Sequence, residues 1–154
     1  MCSDKDTARL AGWRPHKDLK TSKNIVFGYV YNNETYAIIL KDENKLIGTI
    51  SLYKEGIRKN INTRELGFCL NKKYRDNKYM KEAVNAILYY GFNKLNLDII
   101  YAYTMIENIA SQKILEHSGL KYEGTLRKFR KLYTEEVIDV MMYSIIKEEF
   151  IWKN

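Results

Sequence analysis

The chain contains a single proline, Pro15, and no stretch rich in glycine and serine. Nothing therefore marks a linker, and no internal repeat divides the sequence. Residues 1–154 read as one domain, long enough to bury a sizeable core. No apolar run approaches the roughly 20 residues that cross a bilayer. No secretory leader pattern opens the chain. Membrane insertion and export are not expected, and a cytoplasmic location is. Cysteine is scarce as well. Cys2 and Cys69 lack metal-ligand spacing, so no metal is expected and both read as reduced thiols. Acidic residues are outnumbered, 19 against 26 basic, for a net charge of +7. That balance suits nucleic acid, an anionic membrane surface or a polyanionic cofactor. The basic residues form no block of five or six and match no RNA-reading consensus, so a nucleic-acid partner is not expected. The clusters Lys72-Lys73-Tyr74-Arg75 and Arg127-Lys128-Phe129-Arg130-Lys131 read as solvated strand ends and loops.

What is present is periodicity. Residues 18–31 read as a helix, with Leu19, Ile25, Val26 and Tyr29 near helical spacing. Residues 35–41 and 46–54 are apolar and β-branched around Asp42-Glu43-Asn44-Lys45, a hairpin signal. Residues 63–70 read as a third strand. In 79–94, Met80, Ala83, Val84, Ile87, Leu88, Gly91 and Phe92 share one helix face. Residues 98–105 alternate as a strand, Ile99, Tyr101 and Tyr103 against Ile100, Ala102 and Thr104. A helix follows over 108–118, with Asn108 as N-cap and Gly119 just past its end. Two strands near 121–132 and 135–147 close the chain. The order is helix, three strands, helix, strand, helix, two strands. It implies a mixed, mostly antiparallel sheet with helices on both faces, of α/β or α+β class.

The segment Asn108-Ile-Ala-Ser111-Gln-Lys113-Ile-Leu-Glu-His-Ser-Gly119-Leu-Lys-Tyr-Glu-Gly124 resembles the cofactor side of the GCN5-related N-acetyltransferases, the GNAT family. There a helix of the form N-x-x-S/A-x-x-x-x-E-x-x-G-F-x-x-E-G follows a central strand. Four further segments resemble the Rim-type branch, which acetylates N-termini of ribosomal proteins. Trp13-Arg14-Pro15-His16 resembles W-x-P-H, and Glu65-Leu66-Gly67-Phe68 resembles E-I-G-Y. The run Tyr74-Arg75-Asp76-Asn77-Lys78-Tyr79-Met80-Lys81-Glu82-Ala83 resembles the pyrophosphate loop Y-W-G-K-G-Y-x-T-E-A. Asp139-Val140-Met141-Met142-Tyr143-Ser144 resembles the final strand. Each alone is a weak signal; their order from Asp4 to Phe150 makes a strong one.

The resemblance implies an acetyl-CoA-dependent transfer of an acetyl group to a primary amine, either a protein N-terminus or a small molecule. Backbone N–H groups opening the helix at Tyr79 and Met80 would hold the pyrophosphate, with Arg75, Asp76, Asn77 and Lys78 in the loop before it. Phe68 and Leu70 lie on the strand beside which the family's cofactor runs, where a main-chain N–H polarises the thioester. Asn108 and Lys113 belong to the cofactor helix. Glu65 matches the base that deprotonates the amine, and Ser111 the hydroxyl near the coenzyme A sulfur. Leu115 occupies the place of a tyrosine acid used by other branches. Trp13 and His16 match the acceptor side. Each residue also has a plainer reading: Asn108 as a helix cap, Glu65 as a strand residue, Ser111 as a first-turn serine, His16 as a turn residue. Gly119 and Gly124 read as a helix stop and a close strand approach. The tyrosines at 89, 90, 101, 103, 122, 133 and 143 read as packing.

Two features depart from the family pattern. Asp76-Asn77-Lys78 stands where the family has G-K-G, losing glycine's conformational freedom. That supports a second reading, a catalytically silent GNAT-like module that binds a ligand or partner. The family's opening edge strand also has no counterpart, and Met1 falls within what resembles its first helix. The strand near residues 35–41 would then expose an edge, which a homodimer or the N-terminal segment would cover.

Overall fold

Among the described residues, 3–54 and 56–152, the computed structural model has four helices longer than one turn and six strands. Met1 and Cys2 lie outside them. In chain order the elements are α1 (Lys5–Ala11), α2 (Leu19–Asn32), β1 (Thr35–Leu40), β2 (Lys45–Tyr53), β3 (Thr63–Leu70), α3 (Tyr79–Asn93), β4 (Ile99–Met105), α4 (Ile109–His117), β5 (Lys121–Lys131) and β6 (Val137–Ile146). The sheet order is β1-β2-β3-β4-β6-β5. Every neighbouring pair is antiparallel except β3–β4. The expected mixed, mostly antiparallel α/β architecture is the one observed.

The apolar stripe of α3 explains its position. Met80, Val84, Ile87, Leu88, Gly91 and Phe92 are buried against Leu52, Leu66, Ile100, Tyr143 and Ile145 of the sheet. Gly91 allows close approach, since a Cβ there would meet Ile100 Cδ1 at 2.6 Å. On α4, the buried Leu115 joins the same cluster, and Asn108 Oδ1 accepts the Ser111 N–H at 3.2 Å. The opposite sheet face has a smaller core of Met105, Leu132, Ile138 and Val140, with Leu10 of α1 packed on it.

The final-strand motif is engaged throughout. Asp139 Oδ1 accepts the Lys128 N–H at 2.7 Å, Tyr143 Oη donates to Glu116 at 3.3 Å, and Ser144 Oγ donates to Glu123 at 2.6 Å.

Four features add to or change the expectations. The first helix that the family resemblance implied is present as α1, although periodicity did not mark it. Its seven residues are too short to display a stripe, yet Asp4 caps it by accepting the Thr7 N–H at 2.8 Å. The helix α2 forms where expected but buries none of its residues; Leu19 is 69% exposed and Val26 56%. Of the face read from spacing, Ile25 and Tyr29 are half-buried, while Leu19 and Val26 lie exposed. The strand β4 is central and buried on both faces except at Tyr103, so its alternation did not distinguish core from solvent. At Gly124 an added Cβ would meet nothing within 4 Å; φ there is +149°, so the glycine serves backbone conformation at a register shift and not a close approach.

Candidate active site

The one parallel pair creates the site. Pairing of β3 with β4 runs from Thr63–Ile99 to Glu65–Tyr101 and then stops. Beyond Glu65 the strands part, and a cavity of about 990 Å³ occupies the fork. It is within the range that holds a cofactor-sized ligand. Its walls bring together Glu65, Phe68, Leu70, Arg75, Asp76, Lys78, Tyr79, Met80, Asn108, Ser111, Lys113 and Trp13. Two sequence-predicted residues stay outside the lining. His16 shares a 2.9 Å hydrogen bond with Ser22 Oγ at the start of α2. Asn77 turns back on its own loop and donates to the Arg75 carbonyl at 2.9 Å.

At one end lies the opening of α3. Lys78 is its N-cap and makes no side-chain capping bond, leaving the first-turn N–H groups without a side-chain acceptor at the cavity wall. Asp76 and Lys78 both adopt the left-handed conformation, with φ of 65° and 62°. These are the two positions where the family pattern has glycine. The loop has kept the glycine-like backbone and lost the glycines. Asp visits this region readily, whereas lysine pays roughly 1–2 kcal/mol there. Lys78→Gly is expected to raise stability by about 0.5–1 kcal/mol, the relieved strain less glycine's added unfolded entropy. Thermal unfolding checks this.

At the other end sits Glu65, half-buried. Tyr101 Oη donates to Glu65 Oε2 at 3.4 Å and accepts the Ile57 N–H at 3.2 Å. Burial pushes the Glu65 carboxyl above its ordinary range; the Arg130 charge and the Tyr101 and Tyr103 hydroxyls hold back part of the rise. Burial, with the Glu65 charge behind it, pushes Tyr101 up to about 12 and raises Tyr103, so both phenols stay protonated donors. Glu65 also lines a second cavity of about 660 Å³, with Tyr31, Asn32, Glu34, Tyr53 and Lys54. It therefore stands at the wall between two spaces. The indole Nε1 of Trp13 is buried without a hydrogen-bond partner.

Arg130, Tyr101 and Tyr103 stand at this candidate site and were not among the residues expected there. The basic run 127–131 had the look of solvated surface, but Arg130 is partly buried and lines the large cavity. Arg75 lines it too, although its cluster had the same look. No apolar period signals an inward-turned arginine. The tyrosines do pack, and their hydroxyls reach the carboxylate as well.

A family model described as an acetyltransferase (GNAT) domain matches residues 1–121. The chain belongs to the GNAT acetyltransferase family. This GNAT chain is 37% identical over 119 residues to the uncharacterized N-acetyltransferase YnaD of Bacillus subtilis, covering 77% of this chain and 68% of that protein. A GNAT-family acetyltransferase structure from Bacillus anthracis superposes with a TM-score of 0.86 at 30% identity, over 96% of this chain and 86% of the other. A spermidine N-acetyltransferase from Vibrio cholerae, solved with CoA and spermine, shares the fold at TM-score 0.77 and 18% identity, over 96% and 86% of the two chains. The GNAT chain is an acetyltransferase by family. Among the described residues, no helix is long and apolar enough to cross a membrane, and no group of three or more His, Cys, Asp or Glu could hold a metal ion.

Proposed function

We propose that residues 1–154 form one cytoplasmic acetyltransferase domain that moves an acetyl group from acetyl-CoA to a primary amine. The observation that carries this reading is the position of Glu65 at the fork of β3 and β4, where it lines both cavities. The large cavity fits the donor. Its far end has the uncapped first turn of α3 beside Lys78 and Arg75, which suits a pyrophosphate. Phe68 and Leu70 lie on the unpaired edge of β3 and would flank the cofactor's arm. Bound there, acetyl-CoA supplies a thioester whose carbonyl is already activated toward amines.

The chain's own residues then have four tasks. Glu65 takes the proton of the incoming ammonium, directly or through water, and burial makes its carboxylate a better proton acceptor than an exposed glutamate. Backbone N–H groups of β3 left unpaired beyond Glu65 are donors for the carbonyl oxygen. Ser111, in the first turn of α4 and on the cavity wall, stabilises the departing sulfur in this reading. Trp13 offers an unpaired N–H to an oxygen on the acceptor. The acceptor class follows the Rim-type motifs or the small amines; both are carried here as one chemistry, a primary amine.

A screen of polyamines, amino sugars and N-terminal peptides for release of coenzyme A thiol tests the reading. At least one amine should give sustained release that Ser111→Ala slows, with the loss shrinking as pH rises past the thiol's pKa, ~8.5. The strained Asp76–Lys78 loop, with its acidic side chain at the phosphate end, favours the silent-module alternative. Acetyl-CoA binding without thiol release for any amine would establish that alternative.

We further infer that two copies associate. The edge of β1 is unpaired among the described residues, and α2 beside it exposes Phe27 (72%), Val30 (74%) and Tyr31 (82%). Light scattering at high concentration should give a dimer mass; a monomer mass would refute the association.

A further inference from the structure

Arg130 reaches the cavity by an irregularity in the sheet. Leu126 pairs with Val140, but the next paired residue on β5 is Arg130, opposite Ile138. Three residues, Arg127, Lys128 and Phe129, thus stand opposite the single Asp139. Lys128 takes φ of 51°, and its N–H is held by Asp139 Oδ1 at 2.7 Å. Bulges of this kind re-aim side chains beside functional sites. Without the extra residues Lys128 would face Ile138, and Arg130 would fall beyond the cavity.

The guanidinium so delivered is used twice. Nη1 donates to Tyr103 Oη at 2.8 Å, and Nη2 donates to the Gly12 carbonyl at 3.1 Å. Gly12 is the left-handed C-cap of α1, with φ of 75°. A Cβ at Gly12 would lie 3.0 Å from Arg130 Nη1, so this glycine supplies both the conformation and the room. One side chain on β5 thereby ties the connection leading into Trp13 to the strand that forms the far side of the fork.

We propose that Arg130 is a positioning residue for acetyl transfer, clamping the Gly12–Trp13 connection and Tyr103 around Glu65. The proposal rests on Glu65 acting as the base. Arg130 acts through that carboxylate and does not itself touch the reacting atoms. Glu65 is faced by Tyr101 and Tyr103 from β4, Tyr53 from β2 and Arg130 from β5. Across the second cavity it meets Glu34, Lys54 and Tyr31, where Lys54 is paired with Glu34. Burial works against the charged carboxylate, and the Arg130 charge is the largest influence in its favour. The same residue therefore sets the shape of the acceptor half and keeps the base able to accept a proton.

The test is a ¹³C NMR titration of the full chain labelled at glutamate carboxyls, with the Glu65 signal identified by its loss in Glu65→Gln. In Arg130→Gln, Glu65 should titrate at higher pH than in the wild type. In Arg130→Lys, which restores charge but not the two-armed geometry, it should move back toward the wild type. The acid limb of kcat/KM should follow the same order, with a loss of roughly 3–10-fold on that limb in Arg130→Gln and a smaller loss on the alkaline plateau. Circular dichroism and a cooperative thermal unfolding transition report that the fold is intact. If Arg130→Gln does not fold, Tyr103→Phe removes the hydroxyl that receives one arm and should shift Glu65 in the same direction. An unchanged Glu65 titration in a folded variant overturns the proposal. The titration reads the carboxyl whether or not any amine is acetylated, so a failed clamp and a failed transferase reading give different results.

Discussion

Replacing Glu65 by glutamine should lower turnover by ~10²–10⁴-fold, the usual cost of losing a general base. The loss should be largest at low pH, where the acceptor amine is mostly protonated, and should shrink as rising pH supplies neutral amine without help. Steady-state thiol release across pH measures it. Wild-type turnover at every pH would leave Glu65 a strand residue only. Stability should move the other way. Burial raises the Glu65 carboxyl above its unfolded value. The folded state thus holds this proton more tightly than the unfolded state does. Stability from this group is present below the ordinary glutamate range and is lost as pH rises through the raised value. Above that raised value the folded protein keeps a half-buried charge at a cost, and Glu65→Gln removes it. The variant should be no less stable than the wild type at pH 7, and it should lose less stability than the wild type between acid and neutral pH. A residue that weakens the fold and serves the reaction is the pattern expected of a functional group.

Leu88→Ala should destabilise the chain by about 2–5 kcal/mol. Leu88 is fully buried at the centre of the α3 stripe, in one cluster with Leu52, Ile100 and Tyr143. The cavity left there has rigid walls, because α3 already approaches β4 as closely as Gly91 allows. Chemical denaturation should show a lower midpoint with an unchanged slope. A loss under about 1 kcal/mol, well below the usual range for such a truncation, would mean that α3 collapses onto the sheet and that its position is not held by this packing. The consequence reaches function, since the first turn of α3 forms one end of the cavity.

The same stripe made α3 readable in the sequence: its buried residues recur at intervals of three and four, and no competing pattern spans 79–94. Asn108 was readable because a capping side chain acts within four residues. The fork at Glu65 was not readable from local pattern. It depends on β3 and β4 being parallel neighbours, which is a matter of topology; the family resemblance pointed to the strand that carries Glu65, Phe68 and Leu70. Arg130 was hidden for a related reason. Its direction is set by a bulge held by Asp139, across a turn from Lys128, and a basic run looks the same whether it faces solvent or a cavity. At 76–78 the loss of glycine was plain, but composition could not say whether the backbone would change with it. Asp76 and Lys78 keep the left-handed angles. His16 and Asn77 were assigned by motif position, and their side chains are engaged locally instead.

Calorimetric titration of acetyl-CoA into the wild type and Lys78→Glu bears most directly on whether the fork is a cofactor site. Saturable one-to-one binding to the wild type is expected, with an affinity roughly tenfold or more weaker in Lys78→Glu, because a cation beside the phosphates becomes an anion. No binding to the wild type, or equal affinity in the variant, would contradict that assignment.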